Sequence, residues 1–210
     1  MAHVLRCRVG QPVAIFNETC GEWAGTLTAL DKKTAVITVG GCTRPGPESL
    51  PIRWLAVAPL KHDAMSFLIQ KVTELGVTHI QLIQTDHTQG GQINYERLAK
   101  TARDAAQQCE RLSVPVLLPL TPLGVFMKAL PPATWFAACE RLGEGAEFTL
   151  RHGAVDVHAP LGFLVGPEGG WSQSERALFG QHSGLTCIRL GGLILRAETA
   201  ALVCLAQVMV

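Results

Sequence analysis

The 210-residue sequence has little charge: Asp, Glu, Lys and Arg make up 17%, against 48% apolar residues. That balance excludes a disordered chain and indicates a globular one. No uninterrupted apolar run approaches the roughly 20 residues that a membrane-spanning helix needs, and polar and charged residues follow Met1 where a signal peptide would have its apolar core. A soluble, untargeted protein of the cytoplasm is expected, with no membrane partner. The seven cysteines, Cys7, Cys20, Cys42, Cys109, Cys139, Cys187 and Cys204, form no C-x-x-C pair and have no histidine at zinc-ligand spacing. Reduced thiols and no metal site follow. Two further absences narrow the chemistry: there is no G-x-x-x-x-G-K-[ST] phosphate loop and no G-x-G-x-x-G dinucleotide fingerprint. No internal repeat or low-complexity tract is visible.

The net charge of +1 gives no overall argument for nucleic acid, but the charge is unevenly spread. Up to Lys61 there are seven Lys/Arg against four Asp/Glu, and beyond it eleven against thirteen. A phosphate-facing surface is therefore sought in the first segment.

That segment reads as short strands, Val4–Val9, Pro12–Phe16, Glu22–Leu30 and Thr34–Val39, separated by turn chemistry at Asn17–Gly21 and at Asp31-Lys32-Lys33. A small barrel or sheet is implied. Alternation in Val4–Val9 puts Arg6 and Arg8 on one outward face. Gly40–Pro51 is rich in glycine and proline and reads as a linker, followed by a strand at Ile52–Ala58 that could return to the first domain. The predicted organisation is a β-domain over residues 1–58 and a second domain over 59–210.

Beyond Lys61 the period changes. Met65, Leu68, Ile69, Val72 and Leu75 recur at helical spacing and Gly76 supplies the stop. A second helix starts at Asn94, with Leu98, Ala102, Ala105, Ala106, Cys109 and Leu112 on one face and Pro115 at its end. Gln108 and Arg111 share another face at three-residue spacing. Strands at Val77–Ile83, Val114–Leu117, Trp135–Ala138, Gly162–Val165 and Cys187–Leu190 alternate with helices. An α/β domain with a parallel sheet covered on both faces is expected.

Two segments carry chemistry. In the first, the strand ending at Leu164 and Val165 runs into Gly166, Pro167, Glu168, Gly169, Gly170 and Trp171, and Ser172 with Glu175 has the spacing of a capping box that opens a helix. In the second, Arg189 and Leu190 lead into Gly191, Gly192, Leu193, Ile194 and Leu195, then Arg196, Glu198 and Thr199 where a final helix begins. Glycine lets a ligand approach the backbone, and two such loops at the ends of parallel strands can bracket one cofactor.

The G-P-E-G-G-W-S-x-x-E and L-G-x-x-I-L-R-A-E-T-A segments resemble the paired signatures of the SPOUT methyltransferases, specifically the ribosomal small-subunit methyltransferase E family. Lys71–Val77 (K-V-T-E-L-G-V), Ala105–Arg111 (A-A-Q-Q-C-E-R) and the opening His3–Arg6 with Val9-Gly10 are similar to further stretches of that family. The resemblance covers nearly the whole chain.

It implies a trefoil-knotted SPOUT domain, an exception to the rule against knots, preceded by a small PUA-like β-barrel. It further implies a homodimer, S-adenosylmethionine as cofactor, and methylation of N3 of a uridine in 16S ribosomal RNA, free or within the small ribosomal subunit. The cofactor residues would be Leu164–Gly170, Leu190–Leu195 and Thr199, with Arg196 and Glu198 catalytic. Arg6, Arg8, Gln108 and Arg111 would contact RNA. The family usually carries a short strand before the segment matched by His3–Arg6, so the first domain is expected to lack an edge strand. The same motifs leave open a SPOUT enzyme acting on another base or on a ribose 2′-hydroxyl, and a PUA-like RNA-binding protein with an inactive methyltransferase domain.

Overall fold

The computed structural model describes residues 7–46, 50–89, 91–140 and 155–209. The chain divides into two compact units, residues 1–49 with 110–113, and residues 50–109 with 114–210.

In the first unit β1 (Pro12–Asn17), β2 (Gly21–Leu30) and β3 (Ala35–Arg44) form an antiparallel sheet in that order. The β1–β2 turn closes on an Asn side chain: Cys20 N–H donates to Asn17 Oδ1 at 2.6 Å. Gly21 follows at φ +80°, where a Cβ would collide with the Arg44 carbonyl. The linker expected from Gly40 starts later than its composition suggests. Gly40 and Gly41 lie within β3, whose bulged register with β2 pairs Trp23 with Cys42 and Glu22 with Arg44. The expected first strand is not formed where it is described. Cys7 and Arg8 are irregular and Val9-Gly10 is a turn, with Gly10 at φ +87° donating to the Leu27 carbonyl. Val4, Leu5 and Arg6 lie outside the described residues. The left-handed glycine bends the chain, so Arg8 is exposed beside a turn and not on a strand face.

The second unit is a six-stranded parallel sheet: β4 (Arg53–Val57), β5 (His79–Gln84), β6 (Val116–Pro122), β7 (Thr134–Ala138), β8 (Leu161–Val165) and β9 (Leu185–Ile188), in the order β6-β5-β4-β8-β7-β9. Here a return of Ile52–Ala58 to the first domain is overturned. β4 pairs with β5 and β8, and Leu55, Ala56 and Val57 are wholly buried, so the division falls at Leu50 and not at Pro59. Burial on both faces is the reason: such a run finds its partners only at the centre of a covered sheet.

Pleating assigns the two faces. Leu55, Val57, Phe136, Phe163 and Val165 join one core with α1 (His62–Glu74), α2 (Tyr95–Gln108) and α5 (Ala197–Ala206). Ala56, Trp135, Ala137 and Leu164 point the other way, to α3 (Leu123–Lys128) and α4 (Gln173–Gly180). The α1 stop is as the sequence implies, with Leu75 as C-cap and Gly76 at φ +82°. Asn94 caps α2 by accepting from Arg97 N–H at 2.9 Å. That helix ends at Gln108, earlier than expected, because Glu110 turns left-handed at φ 58°. Gln108 and Arg111 therefore do not share a helix face. Among the described residues no helix is long and apolar enough to cross a membrane.

Candidate cofactor site

Parallel strands bring their carboxyl ends to one edge of the sheet. Over the ends of β8, β7 and β9 lies a cavity of about 210 Å³. The loop after β8 contributes Val165, Gly166, Pro167, Glu168, Gly170 and Trp171 to its wall. The loop after β9 contributes Arg189, Leu190, Gly191, Leu193, Ile194 and Leu195, and runs into Arg196, Ala197 and Ala200 at the start of α5. Strand order brings the two glycine loops together, with the end of β7 between them. Ala138, Cys139 and Glu140 complete the wall there. Sequence reading missed these three, since nothing in their composition shows that β7 lies between β8 and β9.

Several predicted positions stand outside the wall. Leu164 packs in the opposite core, while Gly169, Gly192, Glu198 and Thr199 neighbour the cavity without lining it. Arg196 is in the wall and is the N-cap of α5. Its side chain cannot accept, so no side-chain cap closes that helix start. Glu198 sits in the first turn, where a carboxylate suits the helix dipole. Gln108 is exposed at the end of α2, and Arg111 donates to Ser113 Oγ at 3.0 Å.

The β8 loop is braced on every side. Ser172 and Glu175 form the predicted capping box: Ser172 N–H donates to Glu175 Oε2 at 2.8 Å, and Glu175 N–H donates to Ser172 Oγ at 3.2 Å. The buried Glu175 carboxylate also accepts from Asp86 N–H at 2.9 Å, tying in the loop after β5. Asp86 Oδ2 in turn accepts from the hydroxyls of Ser172 at 2.6 Å and Ser174 at 3.1 Å, which hold its carboxyl below the usual range. His87 Nδ1 faces the carbonyls of Gly169 and Gly170 at 3.0 and 3.1 Å, and those acceptors require the ring proton at Nδ1. Trp171 Nε1 donates to the Ala138 carbonyl at 2.7 Å. Gly170 is demanded by its place: φ is +66° and a Cβ would lie 2.5 Å from Glu140 Oε1.

The wall fits a nucleoside-like ligand carrying an amino acid. Val165, Leu190, Leu195 and Ala200 offer apolar surface to a flat base, Glu140 and Glu168 offer acceptors to hydroxyl or ammonium groups, and Arg189 offers donors to a carboxylate. Cys139 is buried in the wall. Burial, then the neighbouring Cys187, pushes its thiol up, which favours the protonated form.

Comparisons with known proteins agree with this architecture. The RNA methyltransferase domain family matches residues 48–209. A ribosomal RNA small subunit methyltransferase E of Rickettsia conorii is 31% identical over 205 residues, spanning 98% of this chain and 83% of the relative. The solved enzyme of that name from Neisseria gonorrhoeae, bound to S-adenosylmethionine, superposes with a TM-score of 0.79 at 28% identity, covering 98% of this chain and 85% of its own. A Legionella pneumophila protein solved with the same cofactor gives 0.85 at 26% identity, with coverage of 99% and 86%. The fold is that of the SPOUT methyltransferases, and the chain belongs to the ribosomal RNA small subunit methyltransferase E family.

Proposed function

We propose that the chain binds S-adenosylmethionine in the β7–β8–β9 cavity and methylates N3 of a uridine in the 16S RNA of the small ribosomal subunit, working as a homodimer. The observation that carries this reading is the meeting of both glycine loops and Arg196 in one cavity wall. The two solved relatives that hold the cofactor support it.

When bound, the sulfonium supplies an electrophilic methyl carbon that passes to N3, the sulfur keeping the S–C electron pair while the N3 proton leaves to a base. The chain's own contribution is placement and charge. Backbone groups of residues 165–170, in the braced loop, and of residues 190–195, in the open one, hold the ligand. Arg196 supplies a guanidinium for negative charge developing on the uracil carbonyls. Glu198, outside the wall, acts as a positioning residue through the first turn of α5. The antiparallel unit is assigned to RNA contact through the exposed Arg8, with Arg6, Gln108 and Arg111 as further contacts.

Calorimetry with S-adenosylmethionine, followed by mass-spectrometric mapping of methylated 16S RNA, tests the whole reading. Binding together with a single N3-methyluridine is the expected result. Absence of binding overturns the reading, and a methyl group on ribose or on another base overturns the acceptor assignment.

A further inference from the structure

A second cavity, of about 260 Å³, lies at the same edge of the parallel sheet, over the ends of β4 and β5. It neighbours the first for a structural reason. β4 and β8 are adjacent parallel strands with Val57 opposite Val165, and Ala58 N–H donates to the Val165 carbonyl. The chain leaving β4 and the chain leaving β8 therefore emerge side by side, and Glu168 lines both cavities. We propose that this second cavity receives the acceptor nucleotide, its pyrimidine ring turned out of the RNA and facing the cofactor cavity across Glu168. The inference rests on the methyltransferase reading and extends it to the substrate.

The lining has the chemistry that such a ring requires. Leu60, Met65, Leu82 and Leu98 form an apolar floor for its faces. Gln89, Gln92 and Asn94 stand around it. The two glutamine amides present both donors and acceptors, and Asn94, whose Oδ1 is spent on the α2 cap, keeps an amide donor. The amide donors among them suit the two carbonyl oxygens that flank N3, leaving N3 itself open towards the cofactor cavity. Lys61 and Arg97 add positive charge for the backbone phosphates, and among the described residues neither forms an ion pair. Lys61 is also the N-cap of α1 and its side chain makes no cap, so that helix start adds its own positive end. A base paired inside a helix could not reach a cavity of this kind, so the nucleotide must be unpaired or extruded.

Two variants and one cross-link test the assignment. Gln92→Trp fills the cavity from an exposed position, and Arg97→Ala removes a cation from the same wall. Both should keep the wild-type melting temperature and bind S-adenosylmethionine within about twofold, while single-turnover methylation of 16S RNA with saturating cofactor falls at least about 100-fold for Gln92→Trp. For Arg97→Ala the salt dependence of RNA binding should flatten by about one unit of slope. Transcribed 16S RNA substituted with 4-thiouridine, irradiated with the wild-type protein and S-adenosylhomocysteine, should cross-link to peptides spanning residues 59–65 or 89–98. Wild-type methylation by a folded Gln92→Trp protein, or cross-links confined to other peptides, overturns the proposal. Weakened cofactor binding in both variants overturns it too, since the cavity would then hold part of the cofactor. A wild-type protein that binds no cofactor sinks the functional reading itself, an outcome visible before any variant is made.

Discussion

The two glycine loops that wall the cofactor cavity differ in how they are held. The loop after β8 is tied down by a capping box, by Asp86 and His87 from the loop after β5, and by the Trp171 indole on the end of β7. Across the cavity, the loop after β9 carries, among the described residues, one side-chain hydrogen bond, Arg189 Nε to the Gly191 carbonyl at 2.9 Å, and leaves Leu193 82% and Ile194 69% exposed. One wall is preorganised by the fold. The other presents apolar side chains that need a covering, which the proposed ligand and second protomer would supply.

The largest effect should come from disturbing the braced wall at its left-handed glycine. Gly170→Val forces a β-branched residue to φ +66°, while the exposed Glu140 carboxylate can swing away from the added Cβ, so backbone strain in the loop carries the effect and cofactor affinity should fall about 100-fold by calorimetry. Near-normal affinity would show that this wall yields.

Arg196 stands where the open loop meets α5, and its loss should separate chemistry from binding. Arg196→Ala should lower the single-turnover rate about 100-fold while the melting temperature and cofactor affinity stay near wild type. A parallel fall in rate and cofactor affinity would instead make Arg196 part of the ligand grip.

Glu175→Ala removes two contacts of the brace, those its carboxylate accepts from Ser172 N–H and from Asp86 N–H, and keeps the bond from its own N–H to Ser172 Oγ. A cost of about 2 kcal/mol, or roughly 6 °C in melting temperature, is expected, with weaker cofactor binding alongside. The smallest effect on folding belongs to the open wall. Leu193→Ser with Ile194→Ser should leave the melting temperature of the monomer unchanged, and sedimentation should show whether self-association is lost with them.

Acid offers a further comparison of the two walls. The folded-state pKa of Asp86 is depressed, so its share of the brace is present above the unfolded value near 4 and disappears as pH falls through the folded one. Hydrogen exchange at residues 86–88 and 169–174 should therefore be flat from pH 7 to 5, after correction for intrinsic rates, and rise only below about pH 4. A rise near pH 6 would point to a different group.

Local chemistry makes much of this protein legible in its sequence. Helix period, cap residues and the runs bounded by glycine are short-range, so α1, the start of α2, the Ser172–Glu175 box and the strand at Leu161–Val165 follow from neighbouring residues. The two glycine loops announced themselves for the same reason. Partners far apart in sequence were decided only by the tertiary structure. A buried strand such as β4 carries no mark of which sheet it joins, since any covered sheet buries it equally well; Gly40 and Gly41 read as a linker until β2 supplied their pairing. The insertion of β7 between β8 and β9 put Cys139 and Glu140 in the cavity, and the adjacency of β4 and β8 set a second cavity beside the first. Strand order depends on the burial of whole faces summed over the sheet, and no window of sequence contains that sum.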